Sequence, residues 1–239
     1  MVNLFGLFGR LGKHNAAGPD RDKPAREARY VVVDTELTGL DDRKDSIISI
    51  GAVRMYGGRI IAGETFYMLV DPEVSGFTRE SVAIHGITPS DVGDKPLIDE
   101  AVYDLYRFIG KDIVVGHCLS IDLTFINREL KRIIGRPLGN ASADTYRAHQ
   151  WLLTRDAGYR EMVGRTDGGT LYEIAGMMGI STGGAHNAEM DAFITAQVFQ
   201  RYIPMLAAHG VATVGELIRT ADPYKGGEIP GKTGDFNNF

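Results

Sequence analysis

Three β-branched residues in a row, Val31-Val32-Val33, are followed at once by two acids one residue apart, Asp34 and Glu36. An uninterrupted β-branched run reads as a strand buried on both faces. Side chains at i and i+2 of an extended chain point the same way, so both carboxylates aim at one spot past the strand end, and Gly39 follows where the chain must turn. At about 4 Å and an effective dielectric of roughly 20, two such charges repel by on the order of 4 kcal/mol. The pair is tolerable if a cation sits between the acids or if one of them keeps its proton. This feature fixes a central buried strand and raises the question of what else the chain brings to its end.

The elements around that strand follow from pattern. Residues 45–56 read as a second strand, Gly57-Gly58 as a two-residue hairpin turn, and residues 59–70 as a third strand stopped by Asp71-Pro72. A short helical piece after Phe77 precedes Ile98–Ile109, whose apolar residues Ile98, Val102, Leu105, Phe108 and Ile109 fall at helical spacing. Residues 112–116 form another buried strand. Strand and helix then alternate, which gives the sheet parallel members. Ser120 is the expected N-cap of a helix to Ile134, Ser142-Ala143-Asp144 a short strand, and residues 145–153 a helix. Residues 156–169 read as a surface loop, and Thr170-Leu171-Tyr172-Glu173 as a capping box opening a helix to Met178. After a glycine-containing link, a helix from Asn187 to Tyr202 completes the domain. Three units result: a flexible lead-in over 1–28, a domain over 29–206, and a C-terminal helix with a disordered tail over 207–239.

Two more acids are out of place. Asp122 lies on the same buried stripe as Ile126 and Leu130, and Asp191 on the stripe of Ile194, Val198 and Tyr202. An acid in the first turn suits the helix dipole, but one on the core-facing side is costly to bury unpaired. Each has a plain explanation alone: dipole stabilisation for Asp122 or Asp191, turn formation for Asp34 with Glu36. Four such placements in one domain point instead to a shared oxygen-ligand site, suited to Mg²⁺ or Mn²⁺ over zinc. Two such ions clamped by carboxylates activate water and steady a leaving oxygen in phosphodiester cleavage. His186, five residues before Asp191, reads either as the base that takes a proton from that water or as a half-exposed loop histidine. His85, His117 and His149 read as structural.

Composition narrows the setting. The net charge of −5 weighs against a long nucleic-acid footprint, though bound divalent ions would reverse the local sign. A single cysteine, Cys118, excludes an internal disulfide and suits a reducing compartment. No apolar run reaches the roughly 20 residues of a bilayer span, and the short apolar patch at residues 4–8 is broken by Arg10, a poor signal peptide. The expected location is the cytoplasm. That patch and the C-terminal tail are the places for a protein partner.

Asp34-x-Glu36 with Thr38-Gly39, then Asp122 in His117-Cys118-Leu119-Ser120-Ile121-Asp122, then His186-x-x-x-x-Asp191 resemble the three motifs of the DEDDh (DnaQ-like) 3′–5′ exonucleases, the family of the proofreading epsilon subunit of bacterial DNA polymerase III. Ile84-His85-Gly86-Ile87-Thr88 and Asp144-Thr145 match as well, and the likeness covers about residues 28–205. The resemblance implies an RNase H-like α/β fold, a mixed five-stranded sheet with helices on both faces. It implies two Mg²⁺ or Mn²⁺ ions held by Asp34, Glu36, Asp122 and Asp191, with Asp34 shared and His186 as general base. It also places the backbone at Glu36, Leu37 and Thr38 at the 3′-terminal nucleotide, Leu40 against its base and His85 among the substrate contacts. The implied activity is release of nucleoside 5′-monophosphates from the 3′ end of DNA, single-stranded in preference. An RNA-trimming or oligoribonuclease-like enzyme of the same fold, or a non-catalytic polymerase-associated subunit, are the alternatives. A DNA polymerase or clamp is the implied protein partner. Leu37, Cys118, Leu119 and Ile121 depart from the residues common in the family, as does a longer 156–169 loop, which bears on pocket shape and leaves the acids intact.

Overall fold

The computed structural model describes residues 18–73, 77–164, 169–183 and 186–225. The apolar patch at residues 4–8 and the tail beyond residue 225 lie outside these residues, as do parts of the 156–169 loop and of the glycine link.

The chain forms β1 (Arg29–Leu37), β2 (Ile47–Tyr56) and β3 (Arg59–Leu69), then helices α1 (Arg79–His85), α2 (Pro89–Val92) and α3 (Ile98–Ile109). Next come β4 (Ile113–Gly116), α4 (Ser120–Ile134), β5 (Ser142–Asp144), α5 (Thr145–Arg155), α6 (Ala157–Val163), α7 (Leu171–Met177), α8 (Ala188–Ala208) and α9 (Val214–Thr220). The five strands make one mixed sheet in the order β3-β2-β1-β4-β5. β1, β2 and β3 pair antiparallel, and β4 and β5 continue parallel to β1. This is the expected RNase H-like architecture, with the valine run on the central strand.

Alternation along β1 divides the core. Tyr30 and Val32 pack with α5 to α9 on one face, while Val31 and Val33 pack with α3 and α4 on the other. By the same period, Asp34 and Glu36 continue the α8 side and Thr35 the α4 side. β1 therefore ends between two helices that approach from opposite faces.

Three readings of the sequence are corrected. Residues 156–169 are not loop throughout: Asp156 caps α6 by accepting from the Tyr159 N–H at 2.9 Å. Only Tyr159 and Val163 of that short helix are buried, too few apolar positions to show a period. α8 runs past Tyr202 and through Pro204 to Ala208, because proline removes a single backbone bond near the helix end while Ile203 and Leu206 stay buried. Ser120 is not the cap of α4. Cys118 adopts φ 53 with its N–H on Asp144 Oδ1, so the chain enters the helix a residue earlier, with Leu119 in the cap position.

The described part of the lead-in is tied down. Pro24 bridges to Thr213, the Ala25 N–H donates to Ala212 O at 2.8 Å, and Ala25 and Ala28 are buried. Residues 18–28 and α9 thus brace each other against the α8 face.

Candidate active site

The site grows from the end of β1. Asp34 pairs in register with Gly51 of β2, and a Cβ at Gly51 would land on the backbone of Ala188, the first residue of α8. A bare backbone here lets the helix terminus lie directly on the sheet beside Asp34. Asn187 caps that terminus, its Oδ1 accepting from the N–H groups of Glu189 and Met190 at 3.1 and 3.3 Å. Asp191 follows within the first turn and only 4% exposed. One oxygen each from Asp34, Glu36 and Asp191 lie within 4.8 Å of one another.

Asp122 arrives from the other face on α4, 6% exposed. It falls outside that tight trio but lines the same pocket. Thr35, pointing to the α4 side, donates to Asp122 Oδ1 at 2.6 Å and ties the helix to the strand between the two acids.

The electrostatics are those of charges short of counter-charge. Burial, then Asp191, Asp122 and Glu36, push the Asp34 carboxyl well above its usual range. Burial followed by Asp191 and Asp122 lifts Glu36 to about 8. Burial lifts Asp122 to about 7 against the opposing bond from Thr35. Asp191 is raised by burial in spite of bonds from Tyr172 and the nearness of His186. Its Oδ1 is buried with no hydrogen-bond partner among the described residues. An orphaned carboxylate oxygen beside clustered acids fits a hard divalent cation, which takes oxygen ligands and relieves the repulsion.

The remaining wall combines apolar and histidine surface. Leu37, Leu40, Ile84 and Ile121 line the pocket with His85, His117, Cys118, Tyr172 and His186. His85 Nδ1 accepts from the Ile87 N–H at 3.0 Å, so the ring hydrogen sits on Nε2, which is buried without a partner among the described residues. Burial, then His186, push His85 down to about 4, and the ring is a neutral donor. His117 is committed within the fold, to Thr145 Oγ1 at 2.9 Å and Gly169 O at 3.0 Å. His186 takes φ 64 and packs edge-on against Tyr172. Tyr172 donates to Asp191 Oδ2 at 2.9 Å, and its phenol stays protonated because burial, then Asp191, raise its pKa.

The structure brings Asp34, Glu36, Asp122, Asp191, His186, Leu37, Leu40 and His85 to one pocket. It sets Thr38 apart: fully buried, its N–H given to Ser46 O at 2.9 Å and its hydroxyl shared between Asp45 and the Ser46 N–H. Sequence reasoning passed over Thr35, Gly51 and Tyr172 as site residues. Thr35 was open to inference from alternation alone.

A mixed sheet whose central strand carries clustered carboxylates into a pocket, met by helices from both faces, is the frame of an RNase H-like nuclease. Comparison with known proteins narrows this. Residues 31–199 match the RNase_T family, described as Exonuclease, and the chain belongs to that family. It is 33% identical over 181 residues to the DNA polymerase III subunit epsilon of Aquifex aeolicus, covering 75% of this chain and 83% of that one. It is also 33% identical over 221 residues to a DNA polymerase III subunit epsilon-like protein of Rhodobacter capsulatus, over 91% of this chain but only 29% of the relative's length. Among solved structures, E. coli exonuclease I in complex with a dT13 oligonucleotide superposes with a TM-score of 0.67 at 17% identity, over 77% of this chain and 43% of that one. That likeness bears on the fold. Among the described residues, no helix is long and apolar enough to cross a membrane.

Proposed function

We propose that this chain is a metal-dependent 3′–5′ exonuclease that shortens single-stranded DNA by one nucleoside 5′-monophosphate at a time. The observation that carries the reading is the carboxylate trio of Asp34, Glu36 and Asp191 within 4.8 Å, beside Asp122, in a pocket where Asp191 Oδ1 has no partner among the described residues. Asp34, Glu36, Asp122 and Asp191 would hold two Mg²⁺ or Mn²⁺ ions. Such ions, when bound, supply the positive charge that polarises the scissile phosphate and makes water a nucleophile at neutral pH. His186 takes the proton of the attacking water. The new P–O bond forms as the bond from phosphorus to the 3′ oxygen of the preceding nucleotide breaks, and that oxygen is protonated to become the new 3′ end. Leu37 and Leu40 offer apolar surface to the terminal base, and His85 offers its Nε2–H to a sugar or base acceptor. The polymerase III names of the relatives and the dT13 bound by exonuclease I support DNA as the substrate.

The direct test follows a 5′-labelled oligonucleotide with Mg²⁺ or Mn²⁺. A ladder shortening from the 3′ end, 5′-monophosphate products and faster turnover on DNA than on matched RNA are expected. Shortening from the other end, or full activity in Asp34→Ala, would overturn the reading. A DNA polymerase or clamp is the proposed partner, engaged through residues 4–8 or the C-terminal tail. Loss of co-elution with polymerase subunits when either segment is deleted is the expected result.

A further inference from the structure

One phenol ties the His186 backbone and ring to a ligand carboxylate. Tyr172, on α7, donates its hydroxyl hydrogen to Asp191 Oδ2 at 2.9 Å. The Tyr172 hydroxyl oxygen accepts from the His186 N–H at 3.1 Å and lies 3.3 Å from His186 Nδ1. The two rings meet edge-to-face, centroids 4.9 Å apart at 74°. A phenol has one hydrogen to give and two positions at which to accept. A bond to a carboxylate is about twice as strong as one between neutral groups, so the hydrogen goes to Asp191 in preference to an imidazole nitrogen. The contact to Nδ1 is then a hydrogen bond only if Nδ1 carries the hydrogen and Tyr172 accepts it. A neutral imidazole protonated at Nδ1 has its lone pair on Nε2. The bond to the His186 N–H also helps hold that residue at φ 64, a conformation a side chain with a Cβ adopts at a cost.

We propose that Tyr172 is a positioning residue that fixes the tautomer of His186, keeping hydrogen on Nδ1 so that Nε2 is the basic nitrogen. The catalytic consequence rests on the reading of His186 as general base; the tautomer stands independently of it. A partner that sets which ring nitrogen is free acts through the histidine without touching substrate.

The experiment uses the full chain, metal-free, with ¹⁵N-labelled histidine at a pH of about 8. Long-range ¹H–¹⁵N correlations report which ring nitrogen is protonated, and His186→Ala assigns the signal among the six histidines. The expected wild-type pattern is protonated Nδ1 with unprotonated Nε2, shifting towards the other tautomer in Tyr172→Phe. Hydrogen on Nε2 in the wild type, or the same pattern in Tyr172→Phe, overturns the proposal; the wild-type spectrum decides even if the variant fails to fold. In the metal-loaded enzyme, Tyr172→Phe is expected to lower kcat about tenfold or more with KM within about twofold. Unchanged kcat counts against Tyr172. Full kcat in His186→Ala removes the base role and leaves the tautomer to the spectrum.

Discussion

Along α8, buried polar side chains behave in two ways. Around Tyr202 they close on one another: its hydroxyl lies 2.7 Å from that of Tyr159, which lies 2.6 Å from His149 Nδ1. Burial pushes His149 down to about 4 and Tyr159 up to about 12, so both are neutral and mutually bonded. Around Asp191, at the start of the same helix, the groups are acids that raise one another's pKa, and one oxygen has no partner among the described residues. Asp191 is buried much as Tyr202, Tyr159 and His149 are, while Asp34 and Glu36 are half-buried. A buried polar group with its partner inside the chain specifies the fold, whereas one whose neighbours share its charge is stable only with a ligand from outside. The contrast divides scaffold from site without reference to any relative.

Removing one of the clustered acids gives the sharpest separation and the largest effect. Asp34→Ala is expected to reduce nucleotide release by at least about 10³-fold, roughly 4 kcal/mol of transition-state stabilisation. It should leave the metal-free protein no less stable, because a repelling carboxylate has gone. A melting temperature well below wild type without metal would show that Asp34 belongs to the scaffold. Gly51→Ala comes next. A methyl group directed at the Ala188 backbone must push the α8 terminus off the sheet, at about 1–3 kcal/mol. Activity should fall with stability, since Asp191 moves with that terminus; a denaturation midpoint and nucleotide release measured together check this.

How far the sequence carries depends on which kind of information a residue's role needs. Asp34 and Glu36 are visible because a period of two on a buried strand assigns their direction, and Asp122 and Asp191 because a period of 3.6 puts them on apolar stripes. The mixed sheet follows from the switch between meander and strand–helix alternation. Gly51 and Tyr172 are different. What matters about Gly51 is the backbone of a helix more than 130 positions further along the chain, and no local pattern announces which glycine will meet it. Tyr172 reads as the third residue of a capping box, and its hydroxyl reaches His186 and Asp191 only once α7 packs on α8. Thr38, which only the family resemblance places at the substrate, lies past the irregularity between Glu36 and Leu37, with its hydroxyl and N–H in the bonds to Asp45 and Ser46.

The scaffold side of the contrast predicts stability loss without loss of function. Tyr159→Phe deprives both His149 Nδ1 and the Tyr202 hydroxyl of a partner. Leaving buried polar groups unsatisfied costs about 1–3 kcal/mol, which chemical denaturation reads directly. Activity per folded molecule should stay at the wild-type level. A matching fall in kcat would mean that the two clusters are coupled through α8.

A pH titration of stability offers the gentlest test, because the raised pocket acids and the lowered buried histidines carry opposite signs. Glu36 and Asp122 have native pKa values raised to about 8 and about 7 from 4.5 and 3.8. The folded state holds these protons more tightly than the unfolded chain, so their contribution is fully present below the ordinary values and lost as pH rises through the native ones. His117 and His149 are lowered from 6.5 to about 4. The unfolded chain binds more protons over that window, so their effect is stability rising with pH and levelling off above 6.5. Between pH 6.5 and 8 the pocket acids act together with Asp144, which lies outside the pocket lining and which burial also lifts to about 7. Metal-free protein should therefore lose stability with rising pH there, at no more than about 1.4 kcal/mol per pH unit for each proton involved. Saturating Mg²⁺ or Mn²⁺ should flatten the slope, because the ions take the place of the protons, and Asp122→Asn should make it shallower without metal. Melting curves at half-unit pH steps, with and without the cation, read both. The same slope in both series would mean that no cation relieves these acids.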